Sequence, residues 1–322
     1  MKLNKRFKNI AFYLLKISIT LGLLFFLFTK IDINKMISII KEIDLFYFSI
    51  AIILFVFNYY LGIVRWHVLL RGIGTRIPFS RVALSYLMGL AVNLFVPSTV
   101  GGDLARGIDL SIYSSSSKPK IMATVILDRM CGFIAVVVIA LFSIILGYKL
   151  VSDKAVLITL GILALMLLLV ILILFSKTVL KLFLRIFHKI KTVQNGLIRF
   201  NEAMSFFRSK SQIKTLMLGL SLGFLIQLIV VILFYFVAMS LRLDIKIIYF
   251  FIFIPIVSAI SMIPLTIGGL GLRDTSAVFF FTRVGLSASG AFALSLIGFL
   301  FIMLAGVIGG IVYVFTLRPR RI

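Results

Sequence analysis

The stretch PSTVGGDLAR at 97–106 recurs as PLTIGGLGLR at 264–273, about half the chain later, with Pro, Thr, Gly-Gly and Arg in matching places. The first copy directly follows the apolar run Val82 to Val96, which is shorter than the roughly twenty residues a helix needs to cross a bilayer. Proline ends a helix because it lacks the amide donor, and paired glycines permit a sharp reversal. Each copy therefore reads as the turn of a re-entrant helical hairpin, 79–117 and 247–284. Such a hairpin enters and leaves the membrane on one side, with its turn at mid-depth.

Composition sets the surroundings of these hairpins. The chain is 62% hydrophobic and 14% charged, with a mean hydropathy of +1.20, which excludes a soluble domain. Eight apolar segments fall near 10–30, 45–64, 79–96, 121–148, 154–175, 214–240, 247–263 and 287–316. If all eight crossed, the basic segment 176–213 would face outward, against the positive-inside bias. Two hairpins leave six full spans and return that segment, together with both termini, to the cytosolic face of the plasma membrane. The same parity assigns Arg65, Arg71, Arg76 and Arg81 to inner-face segments.

The expected fold is thus an all-α polytopic membrane protein, one membrane domain over 1–322, built as an inverted-topology repeat of about 8–150 and 151–318. Gly132-Phe133 and Gly298-Phe299 follow the two motif arginines at nearly equal distances, as a duplication requires. Apolar residues at 180, 183, 184, 187 and at 197, 200, 204, 207 give the connector 176–213 the spacing of two amphipathic surface helices. The N-terminal apolar run is too long for a cleaved signal and reads as a retained first span. The net charge of +24 gathers on the inner face, where anionic lipid head groups are a simpler partner than nucleic acid.

The motif also carries chemistry. Unwound backbone at Gly101, Gly102, Gly268 and Gly269 would expose N–H groups, and the helical arm that follows presents an N-terminus, which favours an anion. Arg106 and Arg273 lie about a turn further on and offer a planar fork to phosphate oxygens. Charge at membrane depth is costly enough to favour a working role. The candidate substrate-binding residues are Pro97, Thr99, Gly101, Gly102, Asp103 and Arg106 in the first motif and Asp128 and Arg129 in TVILDRMCGF. Those of the second motif are Pro264, Thr266, Gly268, Gly269, Arg273 and Asp274.

A structural alternative stays open, in which Asp103 pairs with Arg106, and Arg273 with Asp274 or Asp128, to hold the hairpins. Asp128 reads either as such a partner across the hairpin or as a proton carrier. No metal or cofactor is expected: His67 and His188 lack ligands at useful spacing, and GGLGLRD lacks the third glycine of a dinucleotide fingerprint. Cys131 is expected as a buried packing residue, and Gly306, Gly309 and Gly310 as a close-packing face of the last span.

RWHVLL at 65–70, NLFVPSTVGGDLAR at 93–106, LDRMCGF at 127–133 and IPLTIGGLGLRD at 263–274 together resemble the lysylphosphatidylglycerol synthase transmembrane-region family, also called flippase-like domain proteins. The resemblance covers about residues 8–316 and implies a domain that moves a lipid between leaflets. Where the family carries a separate soluble domain, that domain makes the lipid from aminoacyl-tRNA. Here the chain stops at Arg321-Ile322 right after the last span, so the expectation is translocation of an anionic phospholipid or lipid-linked phosphate without the transferase step. Asp274 stands where the family has glutamate, which keeps the charge. The second class left open is a membrane-embedded transferase acting on a lipid phosphate, with Asp103, Asp109 or Asp128 as base or metal ligand.

Overall fold

A computed structural model describes residues 18–29, 31–95, 101–114, 116–151, 212–263, 266 and 269–317, with isolated positions between 154 and 172. Pro97, Thr99, Pro264, Gly268, the two termini, most of the expected span 154–175 and the connector up to residue 211 lie outside the described residues.

Four helices are long and apolar enough to cross a membrane: α3 (Leu45–Gly72), α6 (Lys118–Leu146), α8 (Ile213–Ser240) and α11 (Ala288–Leu317). Shorter ones are α1 (Ser18–Thr29), α2 (Ile33–Lys41), α4 (Phe79–Phe95), α5 (Gly101–Tyr113), α7 (Tyr148–Val151), α9 (Ile247–Ser261) and α10 (Leu272–Thr282). Among the described residues there is no strand. The protein is an all-α, multi-pass membrane protein. In α8 the apolar residues run all round the helix, so every face is satisfied only by lipid or by other helices.

Both motif hairpins are present. Gly89 and Asn93 of α4 meet Gly102 of α5, and Ser85 and Arg81 meet Asp109, so α5 folds back along α4. In the second hairpin Ser261 meets Gly269, Phe253 meets Phe280, and Phe250 meets Phe281. The longest arm, α4, has 17 residues; at 1.5 Å per residue that is about 26 Å, short of the ~30 Å hydrocarbon core.

Two units emerge, each with one hairpin. The first comprises Met1–Val56, Ile139–Leu160 and Ile229–Ile302 and contains α9–α10; the second comprises Phe57–Val138, Gly161–Leu228 and Met303–Ile322 and contains α4–α5. In the first, α1 and α2 are held by Leu27, Ile31 and Met36 against Val278 and Phe292. The sequence reading missed α2. Its Asp32 caps the helix by accepting from the Lys35 amide at 3.1 Å, and its backbone is tied to Ser289 on both sides. In the second unit the core gathers Trp66, Leu69, Leu70, Val82, Leu110 and Ile121. The expected small-residue face of α11 is real: Gly309 abuts the Leu87 carbonyl, Gly306 the Leu94 side chain and Gly310 Ala91. Cys131 is buried, with Gly219 and Gly223 packed against it.

The two halves of the chain use the same helix exit. After α3, Gly74 (φ 77°) turns left-handed, with Thr75 N–H donating to Leu70 C=O and Gly74 N–H to Arg71 C=O. After α8, Arg242 (φ 53°) does the same, with Leu243 N–H to Ala238 C=O and Arg242 N–H to Met239 C=O. This pair of bonds is the glycine-favouring Schellman ending, and Arg242 occupies it at a cost of roughly 1 kcal/mol. Arg242 is exposed, so Arg242→Gly loses no packing. The expected result is a stabilisation of about 0.5–1 kcal/mol, read as a higher unfolding midpoint in detergent; an unchanged or lower midpoint contradicts it.

Candidate functional site

In the second unit, the first motif feeds a buried chain of charges. Asp128 on α6, 2% exposed, accepts from Arg65 Nε at 2.6 Å on one oxygen and from Arg106 Nη2 at 2.8 Å on the other. Arg106 Nη2 also reaches Asp103 at 3.0 Å, and the other oxygen of Asp103 accepts from Arg129. The order is Arg65–Asp128–Arg106–Asp103–Arg129, three cations against two anions. The Arg106 guanidinium lies 4.6 Å from the Trp66 ring and 4.8 Å from the Tyr86 ring. Such desolvated cation–π contacts contribute on the order of 2 kcal/mol. Trp66 is itself fixed by donating its indole N–H to Thr124 at 3.1 Å. Gly132 leaves room for Arg65: a Cβ there would lie 3.3 Å from Nη1.

Arg106 is only 4% exposed, yet its Nε and Nη1 have no partner among the described residues. Buried donors are normally satisfied, so an orphan of this kind calls for an explanation. Two α-helical arms meet closely beneath it, because Gly102 and Gly89 both lack a side chain and Gly102 N–H donates to Asn93 Oδ1 at 2.8 Å. Here the sequence reading needs correction: Gly101 and Gly102 are not unwound but open α5, and Gly102 serves close approach of the arms.

In the first unit the second motif unwinds at Gly269 as expected and also at Gly271, since both have φ of 78°. Asp274, the third residue of α10, turns back to accept from the Gly271 amide at 2.9 Å, which secures the helix start. It also accepts from Arg273 Nη2 at 2.9 Å and from Ser295 at 2.5 Å. Arg273 Nε donates to Ser295 at 3.2 Å, and the guanidinium lies 5.5 Å from the Phe299 ring. Thr266 is buried with its hydroxyl unpartnered among the described residues. Arg106 bonds the side chain 22 residues further on, Asp128, and Arg273 bonds the side chain 22 residues further on, Ser295. The two sites share a skeleton and differ in charge.

Pairing therefore involves every motif arginine, and Asp128 goes to Arg65 and Arg106 rather than to Arg273. The burial of Arg65 was not anticipated: α3 continues to Gly72, which carries Arg65 into the packed interior. Arg81, from another inner-face segment, is 8% exposed and donates to Asp109 at 2.8 Å. Asp109 further accepts from Ser85 at 2.6 Å and from Tyr313 at 2.7 Å. Trp66, Tyr86 and Tyr313 were not anticipated; RW in the middle of an apolar run was the available signal for the first of them.

Fold and site together define a multi-pass helical membrane protein with a buried arginine–aspartate network at a hairpin. The chain belongs to the family described as Lysylphosphatidylglycerol synthase TM region, which it matches over residues 13–310. It is similar to a UPF0104 membrane protein of Pyrococcus horikoshii, 28% identical over 50% of this chain and 48% of that protein, so the match spans about half of that relative's length. A UPF0104 membrane protein of Methanothermobacter thermautotrophicus is 26% identical over 78% of this chain and 79% of its own. No solved structure matches.

Proposed function

We propose that the protein is a lipid translocase, moving an anionic phospholipid or lipid-linked phosphate between leaflets by alternating access, with α4–α5 and α9–α10 as re-entrant hairpins of an inverted repeat. Both termini and the 176–213 connector then face the cytosol at the plasma membrane. The observation that carries this reading is Arg106, buried, held over two aromatic rings and left with two nitrogens unsatisfied in a network that bears one excess positive charge. A phosphate oxygen supplies both the acceptor and the missing negative charge.

The transferase reading fares less well. Both oxygens of Asp103, Asp109 and Asp128 already accept from arginine, serine or tyrosine donors. To serve as base or metal ligand, each carboxylate would first have to give up strong charge-assisted bonds.

Arg106→Gln tests the proposal cleanly. Without Arg106, Asp128 keeps Arg65 and Asp103 keeps Arg129, so no anion is stranded. The expected result is a folded protein whose transport of fluorescent anionic lipid in reconstituted vesicles falls roughly 10–100-fold, the worth of a charge-assisted hydrogen bond. A folded variant with undiminished transport overturns the assignment. Arg273→Gln alone strands Asp274, so the second motif is tested as Arg273→Gln/Asp274→Asn; recovery of full transport in that double variant makes Arg273 structural.

A further inference from the structure

The chain carries 34 Lys and Arg against 10 Asp and Glu, so most of its cations must find counterions outside the protein. The acids within the described helices are already committed: Asp103, Asp109, Asp128 and Asp274 all bond arginines. Two such cations lie together at one described loop. The loop from α3 to α4 borders an open cavity of about 600 Å³ lined by Arg71, Gly74, Thr75, Arg76, Ile77 and Pro78.

The loop is built rather than loose. Ile73, Thr75 and Ile77 are buried, and the Thr75 hydroxyl donates to Leu70 C=O at 2.6 Å. The alternate residues Gly74, Arg76 and Pro78 are exposed, as is Arg71. No carboxylate among the described residues pairs with Arg71 or Arg76. The corresponding loop after α8 differs, because Asp244 there stands between Arg242 and Lys246 and brings its own negative charge.

Beside the cavity lies an exposed aromatic strip. Phe79 follows Pro78 directly and meets Tyr60 edge-on at 5.9 Å, and Tyr60 stacks on Phe57 at 6.3 Å; all three are exposed. Cations above an apolar strip match a molecule with a phosphate at one end and an acyl chain at the other. A free phosphate would use only the cations.

We propose that the α3–α4 loop binds the head group of an anionic phospholipid of the surrounding leaflet, with the acyl chain along Phe79, Tyr60 and Phe57, as a resident lipid separate from the one transported. Arg71 and Arg76 hold the phosphate, and the aromatic strip distinguishes a lipid from a soluble anion.

The test uses the full chain in neutral detergent carrying Arg106→Gln, which weakens the transport site proposed above, and each loop variant is compared with that same background. Short-chain phosphatidylglycerol, short-chain phosphatidylcholine and inorganic phosphate are titrated separately, and binding is read from the shift of the unfolding midpoint. Phosphatidylglycerol is expected to bind more tightly than the other two, and more weakly at 1 M salt, where the screening length falls to about 3 Å. Arg71→Gln/Arg76→Gln is expected to weaken it about tenfold, the combined effect of two partly exposed ion pairs, while Arg242→Gln/Lys246→Gln leaves it unchanged. If the first pair fails to fold, the exposed single change Arg76→Gln is read in the same way. Equal binding of inorganic phosphate, or phosphatidylglycerol binding that survives loss of the arginines, overturns the proposal.

Discussion

Asp128→Ala is expected to be the most damaging single substitution in the protein, with a loss of about 3–5 kcal/mol of stability. Its carboxylate is 2% exposed and joins two buried guanidinium groups, Arg65 and Arg106. Removing it leaves Arg65, whose side chain is 10% exposed, without its carboxylate. Arg106 retains only Asp103. The attraction that offset desolvation disappears while the desolvation remains. Asp128→Asn keeps the shape but not the charge and is expected to behave similarly. The pairing account makes a second demand: Asp128→Asn/Arg65→Gln removes both partners and recovers most of the loss, because Arg106 still has Asp103. Thermal unfolding of the purified protein in detergent measures all three. A loss under about 1 kcal/mol in the single variants, or no recovery in the double, rejects the account.

The second large effect falls on Gly102. A methyl group there would overlap the Gly89 carbonyl oxygen and lie 2.6 Å from Asn93 Cγ and Oδ1. Backbone cannot step aside as a flexible side chain can, so the two arms of the hairpin must separate. Gly102→Ala is therefore expected to cost about 3 kcal/mol, the upper end of overpacking, and to break the Gly102 N–H bond to Asn93 Oδ1. It would also move Arg106, one turn along α5, off Trp66 and Tyr86. Gly22→Ala serves as the contrast, since a Cβ there meets nothing within 4 Å. Comparable losses in the two variants would mean that α4 and α5 are not held at glycine contact.

Much of this architecture was legible in the sequence because the signals are local. Proline followed by paired glycines ends one helix and permits another in the opposite direction, wherever the segment sits. The match of PSTVGGDLAR to PLTIGGLGLR pointed to duplication, and the arginine bonds at a common spacing of 22 residues give that match a geometric counterpart. Gly271 was less legible. A glycine's left-handed turn depends on where the neighbouring helix must begin, and Asp274 sets that beginning by binding back to the Gly271 amide.

By itself the sequence determined the class: an apolar, strongly basic, all-helical chain with two hairpins and an arginine following each turn. Lipid solvent forces this outcome, since backbone groups in hydrocarbon must bond within their own helix, and charge is tolerated only near the turns and ends. The tertiary structure alone decided which charges meet. Arg65 lies 63 residues from Asp128, and Arg81 lies 28 from Asp109. Spacing along one helix says nothing of partners on another. Nor could sequence tell that Arg65 and Arg81 turn inward while Arg71 and Arg76 stay exposed. That choice depends on where a buried carboxylate is available to offset desolvation, and only the packed helices bring one within 3 Å of an arginine.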